Sequence, residues 1–204
     1  EVDFDKRPEG TVPYVLPAVC PVCGAPTKKD EDGAFLRCTG AECMAQLSRN
    51  IAHFVSRDAM NIDGLGEAQI TIMIEAGLLS SAADIYYLEK NKIAELERMG
   101  EKSADNLIKS IEASKERGLD KLLYAFGINQ IGEKASKVLA AEFKNIEAFF
   151  SVSAEELCAV NDIGAVSAEN IINFFFFIKK DFCSAQQHCN MTIVTTGMHY
   201  TRNF

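Results

Sequence analysis

Four of the seven cysteines fall into two short pairs. Cys20-Pro21-Val22-Cys23 is followed after fourteen residues by Cys38 and after four more by Cys43. Two close thiol pairs separated by a loop present four soft ligands, a set that suits tetrahedral zinc at Zn–S distances of about 2.3 Å. Gly24 relaxes the turn after the first pair, Lys28–Gly33 reads as a polar hairpin tip, and Ala34-Phe35-Leu36-Arg37 reads as the returning strand. Such a unit has too little apolar area to fold alone, so metal binding and folding are expected to be coupled. Four thiolates leave no open position for water, which makes a structural ion the expectation over a catalytic one. The competing readings are a pair of disulfides or four unrelated thiols; disulfides are disfavoured because no secretory signal pattern opens the sequence.

The remaining titratable and soft side chains are less informative. Cys158 lies among Leu157, Ala159 and Val160 and is expected to be a small buried hydrophobe. Cys183, His188, Cys189 and His199 fit no metal spacing, and no second site is assigned to them. A helix over Glu42–Phe54 is expected, with Ala45, Leu47, Ile51 and Phe54 on its apolar face. His53, with no partner placed by spacing, reads as a surface or satisfied residue, and Arg49 and Arg57 as solvated cations.

A second pattern recurs four times: Ile62–Gly66, Leu96–Gly100, Ile128–Gly132 and Val160–Gly164. The final glycines are 34, 32 and 32 residues apart, an internal repeat of nearly fixed period. Apolar residues stand four before each glycine (Ile62, Leu96, Ile128, Val160) and immediately before it (Leu65, Met99, Ile131, Ile163). Seven and eight residues after it come Met73-Ile74, Leu107-Ile108, Leu139-Ala140 and Ile171-Ile172. These positions describe a short helix, a tight turn plugged by apolar residues, and a second helix. Glycine in the turn is expected to allow a backbone angle or a close approach that a side chain would prevent. The turn and first helical turn then offer backbone N–H groups at the positive end of a helix, a phosphate-type anion site.

Two cations sit in register with that site. Lys102 and Lys134 both lie two residues past their glycine, where a cation opposes the helix dipole unless an anion is near; the alternative is a tolerated exposed lysine. Glu101 and Glu133 beside them suit the dipole and disfavour phosphate. Only the first repeat has a glycine two positions before the motif glycine, Gly64; the others carry Arg98, Gln130 and Asp162. Unequal binding by the four turns is therefore expected, and Asp162 makes the fourth turn a poor candidate.

The elements that position these residues are mainly helical. All five prolines (Pro8, Pro13, Pro17, Pro21, Pro26) precede Thr27, leaving a body free of prolines. Ser81-Ala82-Ala83-Asp84 and Ser153-Ala154-Glu155-Glu156 read as capping boxes opening helices, and Gly118 as the end of one. No apolar run approaches a membrane span; Phe174–Ile178 is five residues. The formal charge of −8 is unusual for a phosphate-binding protein, but backbone amides and helix ends hold phosphate without net basicity. The sequence opens at Glu1 without methionine and reads as a piece of a longer chain.

The four glycine turns resemble tandem helix-hairpin-helix motifs, which grip nucleic-acid backbone without reading sequence. Together with the four-cysteine unit and the proline-rich lead-in, the order resembles the C-terminal half of bacterial NAD-dependent DNA ligase over roughly residues 1–180. Cys20-Pro21-Val22-Cys23-Gly24, Asn61-Ile62-Asp63-Gly64-Leu65-Gly66 and Phe126-Gly127-Ile128-Asn129-Gln130-Ile131-Gly132 carry it. The resemblance implies an extended lead-in at 1–19 (the end of an oligonucleotide-binding barrel or a linker) and a zinc finger at 20–59. It further implies a helix-hairpin-helix domain of four units at 60–180, and a linker or the start of a further domain at 181–204. It implies one structural zinc on Cys20, Cys23, Cys38 and Cys43. It also implies contact with nicked duplex DNA through Gly64, Gly66, Gly100, Lys102, Gly132, Lys134 and Gly164, and a bacterial cytoplasmic, nucleoid-associated setting. The family's K-x-D-G adenylation motif does not occur in the sequence, so NAD chemistry is expected of the remainder of the ligase chain and not of these residues. Two alternatives stay open: the helix-hairpin-helix module of another repair protein, and a helical protein-interaction module.

Overall fold

A computed structural model describes residues 6–8, 10–12, 14–29, 35–40 and 43–184, with side chains as far as residue 179. The chain divides into two compact units, Glu1–Ala45 and Gln46–Phe204. The second unit begins ahead of the expected 59/60 boundary, because Ile51, Phe54 and Val55 are buried in its core.

The first unit is built on a two-stranded antiparallel ribbon. β1 (Thr27–Lys29) pairs with β2 (Leu36–Cys38) in the register Thr27↔Cys38, Lys28↔Arg37 and Lys29↔Leu36. The returning strand is thus shifted towards Cys38, and Lys28 and Lys29 belong to β1 instead of the tip; residues 30–34 lie outside the described residues. Ahead of the ribbon, Val19 and Pro26 form a bridge that folds Cys20–Ala25 into a closed turn, with Cys20 N–H donating to the Ala25 carbonyl at 2.7 Å.

The second unit is helical throughout its described residues. α1 (Met44–Val55) leads to α2 (Glu67–Glu75), a 3-10 turn (Ala82–Tyr87), α3 (Lys90–Ala94) and α4 (Glu101–Ser114). Then follow α5 (Leu119–Ala125), α6 (Glu133–Phe143), a second 3-10 turn (Glu147–Phe150), α7 (Ala154–Cys158) and α8 (Ala165–Ser184). The Ser153 capping box forms: Ser153 N–H donates to Glu156 at 2.8 Å and Glu156 N–H to Ser153 Oγ at 3.2 Å. The Ser81–Asp84 box also forms, but it opens a 3-10 turn instead of an α-helix, with Asp84 accepting from the backbone N–H of Ser80 and of Ser81 at 2.8 Å each. Gly118 is not a helix end. α4 stops at Ser114 with Lys115 as its cap, and Gly118 is the N-cap of α5. α8 continues through Ser184, past the boundary expected at 180; the possible second metal cluster (Cys183, His188, Cys189, His199) has no described side chain.

Two apolar cores form, one for each pair of repeats. The first holds Ile62, Leu65, Ile70, Met73, Ile93, Ala104, Leu107 and Ile111; the second holds Ile128, Ile131, Leu139, Leu157, Val160, Ile163, Ala168 and Ile171. α5 serves both. Leu119 and Leu123, four residues apart, lie in the second core, whereas Leu122 and Ala125 lie in the first. Full burial of a side chain of this size contributes about 1.5–3 kcal/mol, so one short helix with apolar residues on two sides holds two pairs of repeats in a single unit.

Cys158 departs from expectation. It is exposed, because the short α7 turns Leu157 inward and leaves its neighbour facing solvent. His53 is satisfied: its Nε2 lies 2.8 Å from the Tyr124 carbonyl, and its ring meets the Tyr124 ring edge-on at 4.9 Å.

Candidate metal centre and nucleic-acid interface

The ribbon and the closed turn bring Cys20, Cys23, Cys38 and Cys43 together, with all four sulfurs within 4.8 Å of one another. Cys20 and Cys43 stand 3.9 Å apart, Cys23 and Cys38 3.4 Å apart. A tetrahedron with metal–sulfur bonds of about 2.3 Å has edges of about 3.8 Å, so this donor set fits a zinc ion in spacing and in chemistry. Gly24, at φ +71, makes the turn that returns the chain after the first pair.

Backbone N–H groups act on the sulfurs. The Gly40 N–H donates to Cys38 Sγ at 3.3 Å. The N–H groups of Cys23 and Val22 draw the Cys20 thiol down to about 6, against the effect of burial. The Ala25 N–H pulls on Cys23 as well, but its neighbour Cys38 and burial push that thiol up to about 12. Four sulfurs this close ionise together only around a cation. Gly40 carries a signal that the sequence reading passed over: a Cβ there would lie 2.9 Å from both Ala25 Cβ and Cys23 Sγ and 3.4 Å from Cys38 Sγ. Glycine at this position lets the second pair close on the first.

The four glycine turns share one geometry. The N–H four residues past each motif glycine donates to that glycine's carbonyl: Ile70, Ala104, Ser136 and Ala168, at 2.9–3.0 Å. Each glycine therefore sits where an N-cap sits. Gly66, Gly100 and Gly132 are extended, with no side chain capping the helix that follows. The expected special backbone angle is not at these glycines. It falls two residues earlier, where Gly64, Arg98, Gln130 and Asp162 take φ of 95°, 63°, 64° and 66°. Three residues other than glycine thus adopt the left-handed conformation, at a cost of about 1–2 kcal/mol each. A Cβ at Gly100, Gly132 or Gly164 would meet nothing within 4 Å. Among the described residues nothing explains the absence of a side chain there, and no side chain caps the first-turn N–H groups of the helices after Gly100 and Gly132.

The apolar columns fall as expected. Met73, Leu107, Leu139 and Ile171 are buried, and Ile74, Ile108, Ala140 and Ile172 are half-buried. A column not read from the sequence lies four past each glycine, where Ile70, Ala104, Ser136 and Ala168 are all fully buried. Ser136 is the polar member, and its Oγ has no hydrogen-bond partner among the described residues. Arg117 is a second residue that sequence reasoning missed. Its guanidinium donates to the Ala59 carbonyl at 2.9 and 3.2 Å and to the Arg57 carbonyl at 3.1 Å, tying the end of α4 to the loop before the first turn.

The cations around the turns are arranged unequally. Lys102 is exposed, whereas Lys134 meets the Asp162 carboxylate at 2.7 Å. Glu133 is held at 3.0 Å by both Lys137 and Lys121, which lower its carboxyl below the usual range and neutralise the acid expected to repel an anion there.

A four-thiol metal finger followed by paired helix-hairpin-helix repeats is the class that this fold and these sites define. Residues 19–45 match the NAD-dependent DNA ligase C4 zinc finger domain, residues 56–113 a SAM-like helix-hairpin-helix tandem, and residues 121–179 the helix-hairpin-helix motif. The chain thus carries a match to the C4 zinc finger of NAD-dependent DNA ligases followed by two helix-hairpin-helix matches, and proteins named DNA ligase are similar to it over most of its length. It is 45% identical over 177 residues to a protein named DNA ligase from Acetivibrio thermocellus, and 47% identical over 175 residues to one from Caldicellulosiruptor bescii. A DNA ligase from Clostridioides difficile is 45% identical over 175 residues. In each comparison the match covers 86% of this chain and 26–27% of the relative, so the chain spans about a quarter of the relatives' length.

Proposed function

We propose that this chain is a DNA-binding portion of an NAD-dependent DNA ligase and holds nicked duplex by its backbone phosphates, without reading sequence, while the parent enzyme seals the nick in replication and repair. The observation that carries this reading is the fourfold recurrence of an exposed glycine at the N-terminus of a helix, in open space and with no structural need for glycine at three of the four. A phosphate oxygen approaching that position would accept from first-turn amides, favoured by the positive helix end. Gly64 shapes the first turn, Gly66, Gly100, Gly132 and Gly164 give the phosphate access, and Lys102 and Lys134 flank it.

In the same reading Cys20, Cys23, Cys38 and Cys43 hold one structural zinc, which cross-links the closed turn to the ribbon. The reaction itself belongs to the rest of the parent enzyme, in the bacterial cytoplasm. The adenylated lysine of a K-x-D-G motif is absent from this sequence, so the chain alone performs no adenylation and binds no NAD. The negative net charge favours a second reading, in which the helical repeats serve a protein partner.

Titration of the zinc-loaded chain with nicked and intact duplex, at low and raised salt, separates the two. Phosphate contact predicts binding whose log affinity falls linearly with log salt, with a slope of about −0.9 per phosphate neutralised. A preference for the nicked duplex supports a role at the break. No binding to either duplex at low salt would sink the proposal and leave the protein-partner reading.

A further inference from the structure

The third and fourth hairpins lie side by side. Lys134, two past Gly132, meets Asp162, two before Gly164, at 2.7 Å. Asn170 of α8 also donates to the Asn129 carbonyl in the third turn at 3.2 Å. In the first pair of repeats the same two columns hold Ala68 and Arg98, so no acid occupies the corresponding place. Arg98 is 75% exposed and makes a loose ion pair with the adjacent Glu97 at 3.8 Å. Counting the positions two before and two after both motif glycines, the first pair carries two cations, Arg98 and Lys102, beside Gly64 and Ala68; the second pair carries one cation and one acid, Lys134 and Asp162, already joined, beside Gln130 and Val166.

The join has a physical cause. Lys134 sits in the first turn of α6, where the helix dipole repels a cation unless an anion is close. Glu133 does not supply that anion, being held by Lys121 and Lys137. Asp162 does, from a left-handed backbone position of the kind aspartate tolerates better than most residues. Both partners are largely exposed, 84% and 56%, so the pair is weak and open to exchange.

We infer that Asp162 is a built-in competitor for Lys134: a duplex phosphate gains Lys134 only by displacing the Asp162 carboxylate, whereas it meets the exposed Lys102 without such an exchange and Arg98 across no more than a loose contact with the adjacent Glu97 at 3.8 Å. This inference rests on the reading of the hairpins as duplex-binding elements. It makes Asp162 a positioning residue that sets how the two halves share the duplex, with the first half the stronger.

A double-mutant cycle tests it. Nicked-duplex affinity is measured for the zinc-loaded chain and for K134Q, D162N, the double variant, and K102Q with and without D162N. E147Q, which removes the same charge off the hairpin turns, serves as the control. Exchange predicts that D162N tightens binding more than E147Q does. It also predicts that K134Q costs more in the D162N background than in the wild type, by roughly twofold to fivefold, the worth of an exposed ion pair. K102Q should cost the same with or without D162N. Equal K134Q costs in both backgrounds, or equal tightening by E147Q and D162N, would overturn the exchange while leaving duplex binding intact. Absence of duplex binding by every variant would defeat the duplex reading and the exchange with it.

Discussion

Replacing Gly100 with alanine separates the two reasons a turn can require glycine. Gly100 has φ −114° and ψ 173°, extended backbone open to any residue, and a Cβ there meets nothing within 4 Å. Two small effects act on stability. Alanine is a poorer N-cap than glycine, by some tenths of a kcal/mol or more, and its stiffer unfolded chain returns about 0.4–1 kcal/mol. They largely cancel, so unfolding should move by no more than about 0.5 kcal/mol. Binding should move much further, because the methyl group stands where a phosphate must approach the first-turn amides. Loss of one hydrogen bond to a charged acceptor is worth about 1.5–3 kcal/mol, a tenfold to hundredfold loss of duplex affinity. Gly64→Ala should behave in the opposite way: at φ +95° an L-residue costs about 1–2 kcal/mol, so stability falls first. Urea unfolding and titration of labelled nicked duplex on the same preparations give both numbers. If Gly100→Ala leaves affinity within twofold, the outward space is not a phosphate seat. If it destabilises by much more than 1 kcal/mol, the glycine is structural and the reasoning fails.

Other outcomes follow from the same geometry. Gly40→Ala should weaken zinc binding by roughly fivefold to a hundredfold, the effect of about 1–3 kcal/mol of overpacking against the sulfurs, read by competition with a chromogenic chelator. Ser136→Ala should be neutral or stabilise by up to about 1 kcal/mol in urea unfolding, since it removes a buried unpartnered hydroxyl and matches Ala104 and Ala168. Arg117→Ala should destabilise by about 1–3 kcal/mol in the same measurement, because the fully buried Ala59 loses its carbonyl's guanidinium donor. Burial raises the Asp84 carboxyl, but hydrogen bonds from Ser80 and Ser81 outweigh it and hold the group below its ordinary 3.8. Its contribution is therefore complete above the ordinary value and lost as pH falls through the lowered one; acid titration of Asp84→Asn should lack that part of the wild-type decline.

The repeat was legible because its columns are set by burial. Residues four before, one before and seven after each glycine face a core, so their types are constrained in every copy, and a period of 32–34 residues brings them into register. The cysteine pairs were legible because ligand spacing survives any loop between them. What stayed hidden was decided by contacts distant in sequence or by backbone angles that residue type does not report. Arg98, Gln130 and Asp162 adopt a conformation that glycine would have announced, and only Gly64 announces it. Arg117 finds its acceptors 58 and 60 residues away. Cys158 misled because a short run of apolar neighbours does not say which of them turns inward.

The two-sided α5 sets a limit on dissection of the second unit. A cut before α5 strips Leu122 and Ala125 from the preceding repeats, and a cut after it strips Leu119 and Leu123 from those that follow. Four copies of one motif do not yield two interchangeable pieces; the smallest folding body that keeps any pair of hairpins intact is expected to keep both.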